Sequence, residues 1–444
     1  MSDFPVVVVG AGPVGLAAAT ELLERGLTPL VLESGAVAGA AVRQWGHVRL
    51  FSRWAELVAP AAARLLAPTG WQHPAHADYP TGDDWAKGYL EPLAAVLGER
   101  VRFGATVIGV TRRGRDRIVD AGRDTEPFVV HTRAADGTES RLLASAVIDA
   151  SGTWTTPNPA GADGLPAAGE RAAADRVTYR GTAPERLREQ HAGRHTVVVG
   201  NGHSAFTALI DLAVLAEREP DTRVSWVLRR GVTDSTFGGG DADQLPARGR
   251  LGQRVKDAVA AGHITAVPGF RTETVEGHGE AVVLVADDGR RLAPAESVLV
   301  LTGFRPDLSW LSEVRLDLDP VLQAPVALAP LIDPNVHSCG TVYPHGVAEL
   351  SHPEPKLFLA GMKSYGRAPT FLAMTGYEQV RSIAAELAGD HEGARRVELS
   401  LPETGVCGGS GLYDSAEDAA EGGCCGGPAE PELLALPAIG ARTG

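Results

Sequence analysis

Two stretches of this chain share one pattern of apolar and polar positions. Each is a β-branched apolar run that stops at a glycine and gives way to alanine and leucine at helical spacing. Phe4-Pro5-Val6-Val7-Val8-Val9 predicts a strand, and 13–25 a helix after it. His195-Thr196-Val197-Val198-Val199 predicts a second strand, followed by a helix over about 205–218. A further strand follows each helix, at Thr28-Pro29-Leu30-Val31-Leu32-Glu33 and at Val224-Ser225-Trp226-Val227-Leu228. Short strands are expected at 101–111, 117–121, 127–133, 140–150, 264–268, 281–286 and 297–302. An apolar segment at 357–361 and a helix over 370–388 close the folded body. Residues 36–100 read as irregular, and a Pro/Gly/Ala-rich hinge is expected at 157–174.

The junctions carry the chemistry. Gly10-Ala11-Gly12-Pro13-Val14-Gly15 and Gly200-Asn201-Gly202-His203-Ser204-Ala205 each lie between a strand and a helix. A lone GxGxxG means little; in this context its glycines allow a tight turn and close approach to a pyrophosphate. The helix N-terminus then offers free N–H groups to the anion. Glu33 falls at the end of the second strand, about twenty residues after the first glycine, where a carboxylate binds a ribose hydroxyl. That suits FAD or NAD. The matching position of the second unit holds Arg229-Arg230, which can grip a 2′-phosphate bidentately and so select NADPH. The alternative at both places is a solvated charge at a strand end.

The fold class that follows is α/β, with two Rossmann-like dinucleotide-binding domains and the NADPH domain inserted in the FAD domain. The expected boundaries are 1–160 and 321–400 for the FAD domain, 175–320 for the NADPH domain, and 401–444 for a flexible C-terminal tail. The 444 residues are enough for several cores. A net charge of −14 argues against nucleic acid or an anionic membrane as partner. No apolar run reaches the roughly 18 residues a membrane span needs. The start lacks a basic leader, and four cysteines (Cys339, Cys407, Cys424, Cys425) do not make a disulfide framework, so the expected setting is cytoplasmic.

On these residues the chain resembles flavin-containing and N-hydroxylating monooxygenases, over roughly 4–400. Gly200–Ala205 fits the GxGxSA form of their second motif, and Tyr79-Pro80-Thr81-Gly82 and Ala150-Ser151-Gly152-Thr153-Trp154 look like further pieces. Two features depart from the group. Its linker fingerprint is replaced by Val177-Thr178-Tyr179-Arg180-Gly181, and the Gly-Asp of its last FAD segment by Gly361-Met362. Trp45-Gly46-His47-Val48-Arg49-Leu50-Phe51-Ser52 and the segment 361–371 look most like flavoproteins of bacterial arsenic-resistance clusters. That resemblance implies NADPH- and FAD-dependent oxidation of trivalent arsenicals by O2. The expected partners are therefore a small-molecule substrate and O2, with a homodimer left open.

The tail adds chemistry of its own. Cys407, Cys424 and Cys425 are glycine-flanked thiols that can converge on a soft thiophilic centre such as As(III) or Sb(III). A regulatory dithiol or incidental cysteines are the plainer alternatives. Leu401-Pro402-Glu403-Thr404-Gly405 spells a sorting signal, but no apolar span follows it. The pair at 424–425 also resembles the shuttle thiols of mercuric reductase and large thioredoxin reductases. Those enzymes need a second thiol pair in the body, where this sequence has only Cys339.

The expected cofactor contacts are Gly10, Gly12, Gly15, Glu33 and Gly361 for FAD, and Gly200, Gly202, Ser204, Arg229 and Arg230 for NADPH. His203, Arg49, His47, Lys363 and Arg367 are the polar side chains expected near the flavin ring. Asp241 and Asp243 lie on a glycine-rich loop that could gate the nicotinamide. Three functions compete: a monooxygenase for a soft nucleophile, an NADPH-dependent reductase serving a thiol or metal centre, and a metalloid-binding or sensing flavoprotein.

Overall fold

A computed structural model of the chain describes residues 4–238, 246–336, 345–369 and 371–399. All four cysteines, the tail, Asp241 and Asp243 lie outside the described residues. The two repeated sequence patterns become two five-stranded sheets, each wholly parallel. The first runs Leu357–Leu359, Ala146–Asp149, Val6–Val9, Pro29–Leu32, Val101–Arg102. The second runs Thr265–Val267, Arg223–Val227, His195–Val199, Ser297–Val300, Val177–Thr178. In both, the glycine turn leaves the middle strand. The strand that follows it in sequence lies on one side, and a much later strand on the other. Such a reversal of strand order opens a crevice at the carboxyl ends of the strands, where α/β proteins bind ligands.

The apolar runs explain the sheets. All residues of Val6–Val9 and of His195–Val199 are buried, as parallel strands covered on both faces require. Helix Pro13–Glu24 starts with Pro13 in the first turn, where its missing N–H costs nothing. It packs against the C-terminal helix Ala373–Leu387, and Gly376 lies so close to Val14 and Phe371 that a Cβ there would collide with both.

Strand Leu357–Leu359 returns to the first sheet after the chain has built the second, so the second sheet is an insertion between Asp149 and Leu357. The outgoing and returning segments run side by side. Asn158 N–H donates to the Gly303 carbonyl (2.9 Å), Arg305 N–H to the Thr156 carbonyl (2.8 Å), and the Thr302 hydroxyl to the Asn158 carbonyl (2.9 Å). A three-stranded antiparallel sheet (Ala105–Arg112, Phe128–Ala134, Glu139–Ala144) hangs from the first lobe. A hairpin (Thr272–His278, Ala281–Ala286) hangs from the second.

One expected strand is absent. Residues 117–121 form a turn, because the Asp116 side chain caps the Ile118 N–H (3.1 Å) and its carbonyl takes the Val119 N–H (3.0 Å). Local Asp turn chemistry overrides the β pattern there. Arg315 then holds the loop through the Arg117 carbonyl. The expected strand at 140–150 divides into two, which serve different sheets.

Candidate active site

The two glycine turns are built alike. Gly10 has φ +100° and Gly200 φ +127°, a backbone that side chains disfavour. A Cβ on Gly10 would meet the Ala150 carbonyl oxygen at 2.8 Å, and one on Gly200 would meet the Leu301 carbonyl oxygen. A Cβ on Gly15 would strike the Gly10 carbonyl oxygen. These three glycines are therefore required by packing. Gly12 and Gly202 differ. Each is the extended N-cap of its helix, with no atom within 4 Å of a Cβ placed on it. The space before each helix N-terminus is a cradle that a side chain would fill, and it fits a pyrophosphate.

Around the first cradle, the Glu33 carboxylate is 9 % exposed. One oxygen accepts from Ala11 N–H and the other from Gly35 N–H, both at 2.7 Å. The turn thus fixes an acid at the strand end where an adenosine ribose lies in such folds. Gly361 (φ +70°) faces Val14 in the first turn of the helix, and its N–H donates to the buried Gln379 amide oxygen (2.7 Å). Gln379 in turn donates to Ser364 (2.9 Å) and pairs with His345 (2.8 Å).

Lys363 is not at the surface. It is 1 % exposed, and its ammonium lies 2.6 Å from Asp149 Oδ2 and 3.0 Å from Ser151 Oγ, 4.6 Å from the centre of the Trp310 ring. Arg367 is exposed and donates to Gln323 Oε1 (2.8 Å).

Around the second cradle, Gly202, His203 and Ser204 are exposed at the helix start. The Trp226 indole N–H braces the turn from below through the Gly200 carbonyl (2.7 Å). Arg229 follows the next strand and reaches back to the Ala162 carbonyl (3.1 Å), while Arg230 beside it is half-buried. The first lobe touches this end. Phe51 meets the His203 ring edge-on at 5.0 Å. About two turns further along the helix, burial pushes the Asp211 carboxyl above its ordinary value, opposed by His47 and Arg254. The segment 45–52 therefore lies against the helix of the second cradle. Arg49, on the same segment, donates to the Tyr79 carbonyl. With Trp54, Asp78, Tyr79 and Asp84 it lines a surface cleft of about 380 Å³.

The structure thus gathers Gly10, Gly12, Gly15, Glu33, Gly361 and Lys363 at one strand edge, and Gly200, Gly202, His203, Ser204, Arg229 and Arg230 at the other. Sequence reasoning missed Phe51 as the contact of the first lobe with His203. It missed Trp154 too, which bonds Gln44 (2.9 Å), packs on Phe304 (4.7 Å) and lies under Arg180 (5.1 Å) where the lobes meet. Both lie in stretches that carry the family resemblance, but nothing in the sequence marked them as contacts between the lobes.

Two such cradles, one with a carboxylate and one with arginines, define an α/β protein that binds two dinucleotides. Residues 7–327 match the family model described as pyridine nucleotide-disulphide oxidoreductase, and the chain belongs to that family. Its cofactors are FAD and NADPH. It is similar to the indole-3-pyruvate monooxygenase YUCCA1 of rice (Oryza sativa subsp. japonica), 32% identical over 207 residues, which are 46% of this chain and 44% of that protein. The chain therefore matches under half of that relative's length. It is also similar to a ferredoxin–NADP reductase of Ignicoccus hospitalis, 26% identical over 70% of this chain and 81% of that one. Among solved structures, bacillithiol disulfide reductase of Bacillus cereus shares the fold with TM-score 0.63 and 20% identity, over 87% of this chain and 99% of that one. A flavin-containing monooxygenase of Stenotrophomonas maltophilia does so with TM-score 0.55 and 23% identity, over 88% and 99%. Among the described residues, no helix is long and apolar enough to cross a membrane.

Proposed function

We propose that this protein is a monooxygenase that uses NADPH, FAD and O2 to oxidise a small soft nucleophile, with trivalent arsenicals or antimonite as the substrate class. The observation that carries the oxygenase reading is a pair of open glycine cradles in a body whose sequence holds one cysteine, Cys339. A flavin-side dithiol, which a disulfide reductase of the large thioredoxin reductase kind needs, cannot be made from one thiol. The likeness to YUCCA1 and to a bacterial flavin monooxygenase points the same way. The arsenical rests on the resemblance of 45–52 and 361–371, together with the thiols of the tail.

A bound FAD would supply the redox chemistry that links NADPH to O2. The chain supplies position. Gly10, Gly12 and Gly15 admit the FAD pyrophosphate to the first helix N-terminus, and Glu33 binds its adenosine ribose. Gly361 fits closely over that helix. Gly200, Gly202 and Ser204 hold the NADPH pyrophosphate, and Arg229 with Arg230 bind its 2′-phosphate. His203, steadied by Phe51, orients the nicotinamide end. Arg49 and Arg367 draw polar substrate towards the cleft. Cys407, Cys424 and Cys425 bind the trivalent metalloid as thiolates and deliver it. Oxygen transfer to a lone pair needs little acid–base help, and the site requires mainly exclusion of water. The protein acts in the cytoplasm on small molecules.

A reductase without oxygen insertion is the second reading, favoured by the long match to a ferredoxin–NADP reductase. A sensing flavoprotein with slow turnover is the third. An oxygen electrode separates them: NADPH oxidation in air with methylarsenite should consume one O2 and yield one pentavalent product per NADPH. NADPH loss without oxygen in the product supports the reductase. Metalloid binding without turnover supports the sensor.

A further inference from the structure

The strand ends beneath the first cradle hold a buried charge pair that the chemistry above does not use. Asp149 closes the strand beside Val6–Val9, in register with Val9, the residue before Gly10. It is fully buried. Its Oδ1 accepts from both the N–H (3.1 Å) and the hydroxyl (2.6 Å) of Ser151, and its Oδ2 faces the Lys363 ammonium at 2.6 Å. Ser151 is part of the wall of the glycine turn, since its Cα lies 3.0 Å from where a Gly10 Cβ would stand. The ammonium is spoken for on all sides: Asp149, the Ser151 hydroxyl (3.0 Å) and the Trp310 ring (4.6 Å) surround it. Asp307 is a further charge that feels it. Burial pushes that carboxyl up, while hydrogen bonds from Ser309 and the Lys363 charge hold it below its ordinary value.

A buried carboxylate is costly next to a turn that must accept a doubly charged pyrophosphate. Low local polarity strengthens the repulsion and leaves no water to screen it. An ammonium on the far oxygen cancels that charge. So enclosed, it cannot reach a substrate.

We propose that Lys363 is a positioning residue for FAD: its ammonium neutralises Asp149 beneath the glycine turn, so that the turn accepts the pyrophosphate. The role is electrostatic, and it separates from a purely structural one by sign. Removing either partner breaks a buried pair and lowers stability. Only removal of the lysine leaves an uncompensated negative charge under the FAD site.

The test uses full-length apoprotein of Lys363→Met, Asp149→Asn and the double variant. FAD Kd is read by quenching of flavin fluorescence, with the melting temperature recorded alongside. Lys363→Met should bind FAD at least tenfold more weakly than wild type. Asp149→Asn should bind it no more weakly than wild type, although it melts lower. The double variant should return to within threefold of wild type. The proposal is overturned if Lys363→Met stays within twofold of wild type. It is equally overturned if Asp149→Asn weakens FAD as much as Lys363→Met does. Should Lys363→Met fail to fold, the other two variants decide, and a tenfold loss in either overturns it.

Discussion

Replacing Gly12 by Val tests what the first glycine turn is for. The new Cβ meets no protein atom within 4 Å, and the backbone at Gly12 (φ −81°, ψ −176°) is one that valine readily adopts. The apoprotein therefore loses only what a poor N-cap costs, about 1 kcal/mol. The side chain does occupy the space before the helix N-terminus, where the proposal puts the FAD pyrophosphate. Losing close backbone contact to that anion forfeits at least one or two charge-assisted hydrogen bonds, about 1.5–3 kcal/mol each. FAD affinity should fall by about tenfold for one lost bond and by about 100-fold or more for two, at about 1.4 kcal/mol per tenfold. Gly15→Ala is the contrasting change. Its Cβ strikes the Gly10 carbonyl oxygen, so the fold itself must give, by about 1–3 kcal/mol as in overpacked cores. Fluorescence titration of apoprotein with FAD, beside a thermal melt, reads both effects. Gly12→Val that binds FAD like wild type would refute the cradle, and so would one that unfolds as readily as Gly15→Ala.

Three further outcomes are expected. Arg229→Ala with Arg230→Ala should raise the KM for NADPH by the roughly 1.5–3 kcal/mol of a lost charged contact and leave NADH nearly unchanged; an unaltered NADPH/NADH ratio contradicts the assignment. Serine at Cys407, Cys424 and Cys425 should raise the KM for a trivalent arsenical while flavin content and substrate-free NADPH oxidation stay intact; a wild-type kcat/KM ends the delivery role. Acid should destabilise the fold through the buried His191 and the half-buried His352. Burial lowers His191 and His352 to about 4 each, and His191 is held neutral between the Thr182 and Thr196 hydroxyls at 2.8 Å. The unfolded chain binds these protons from about pH 6.5, so stability is complete above that and lost as pH falls towards 4. A melting temperature that is flat between pH 7 and pH 4.5 contradicts this.

The parts of the fold legible in the sequence are those fixed locally. Buried parallel strands read as unbroken Val runs, and glycine spacing marks where each turns into a helix. Both dinucleotide units and the class of fold follow from that. What stayed hidden depends on residues far apart in the chain. Lys363 is expected as a polar side chain near the flavin ring, and its buried pairing with Asp149 emerges only once the return strand is in place. Nothing in the sequence singles out Glu354, which is buried and takes hydrogen bonds from Arg112 (2.7 Å) and Arg123 (2.7 Å), tying the antiparallel sheet to the last segment. Strand Thr272–His278 was missed because threonine and glutamate fill it, and its pairing with Ala281–Ala286 supplies what its own residues lack. The segment 117–121 misled in the opposite sense, since its β-branched Ile118-Val119 suggested a short strand where Asp116 makes a turn.

The central claim is that hydride passes from NADPH on the second turn to FAD on the first. Anaerobic stopped-flow mixing of the FAD-loaded protein with NADPH tests it directly, read as loss of flavin absorbance near 450 nm, in wild type and in Gly202→Val. The Cβ at Gly202 meets nothing within 4 Å, so the variant should fold and keep its FAD. The account predicts rapid bleaching of wild type, and bleaching at least tenfold slower at equal NADPH in the variant. Wild type that does not bleach, or a variant that bleaches as fast, would contradict it.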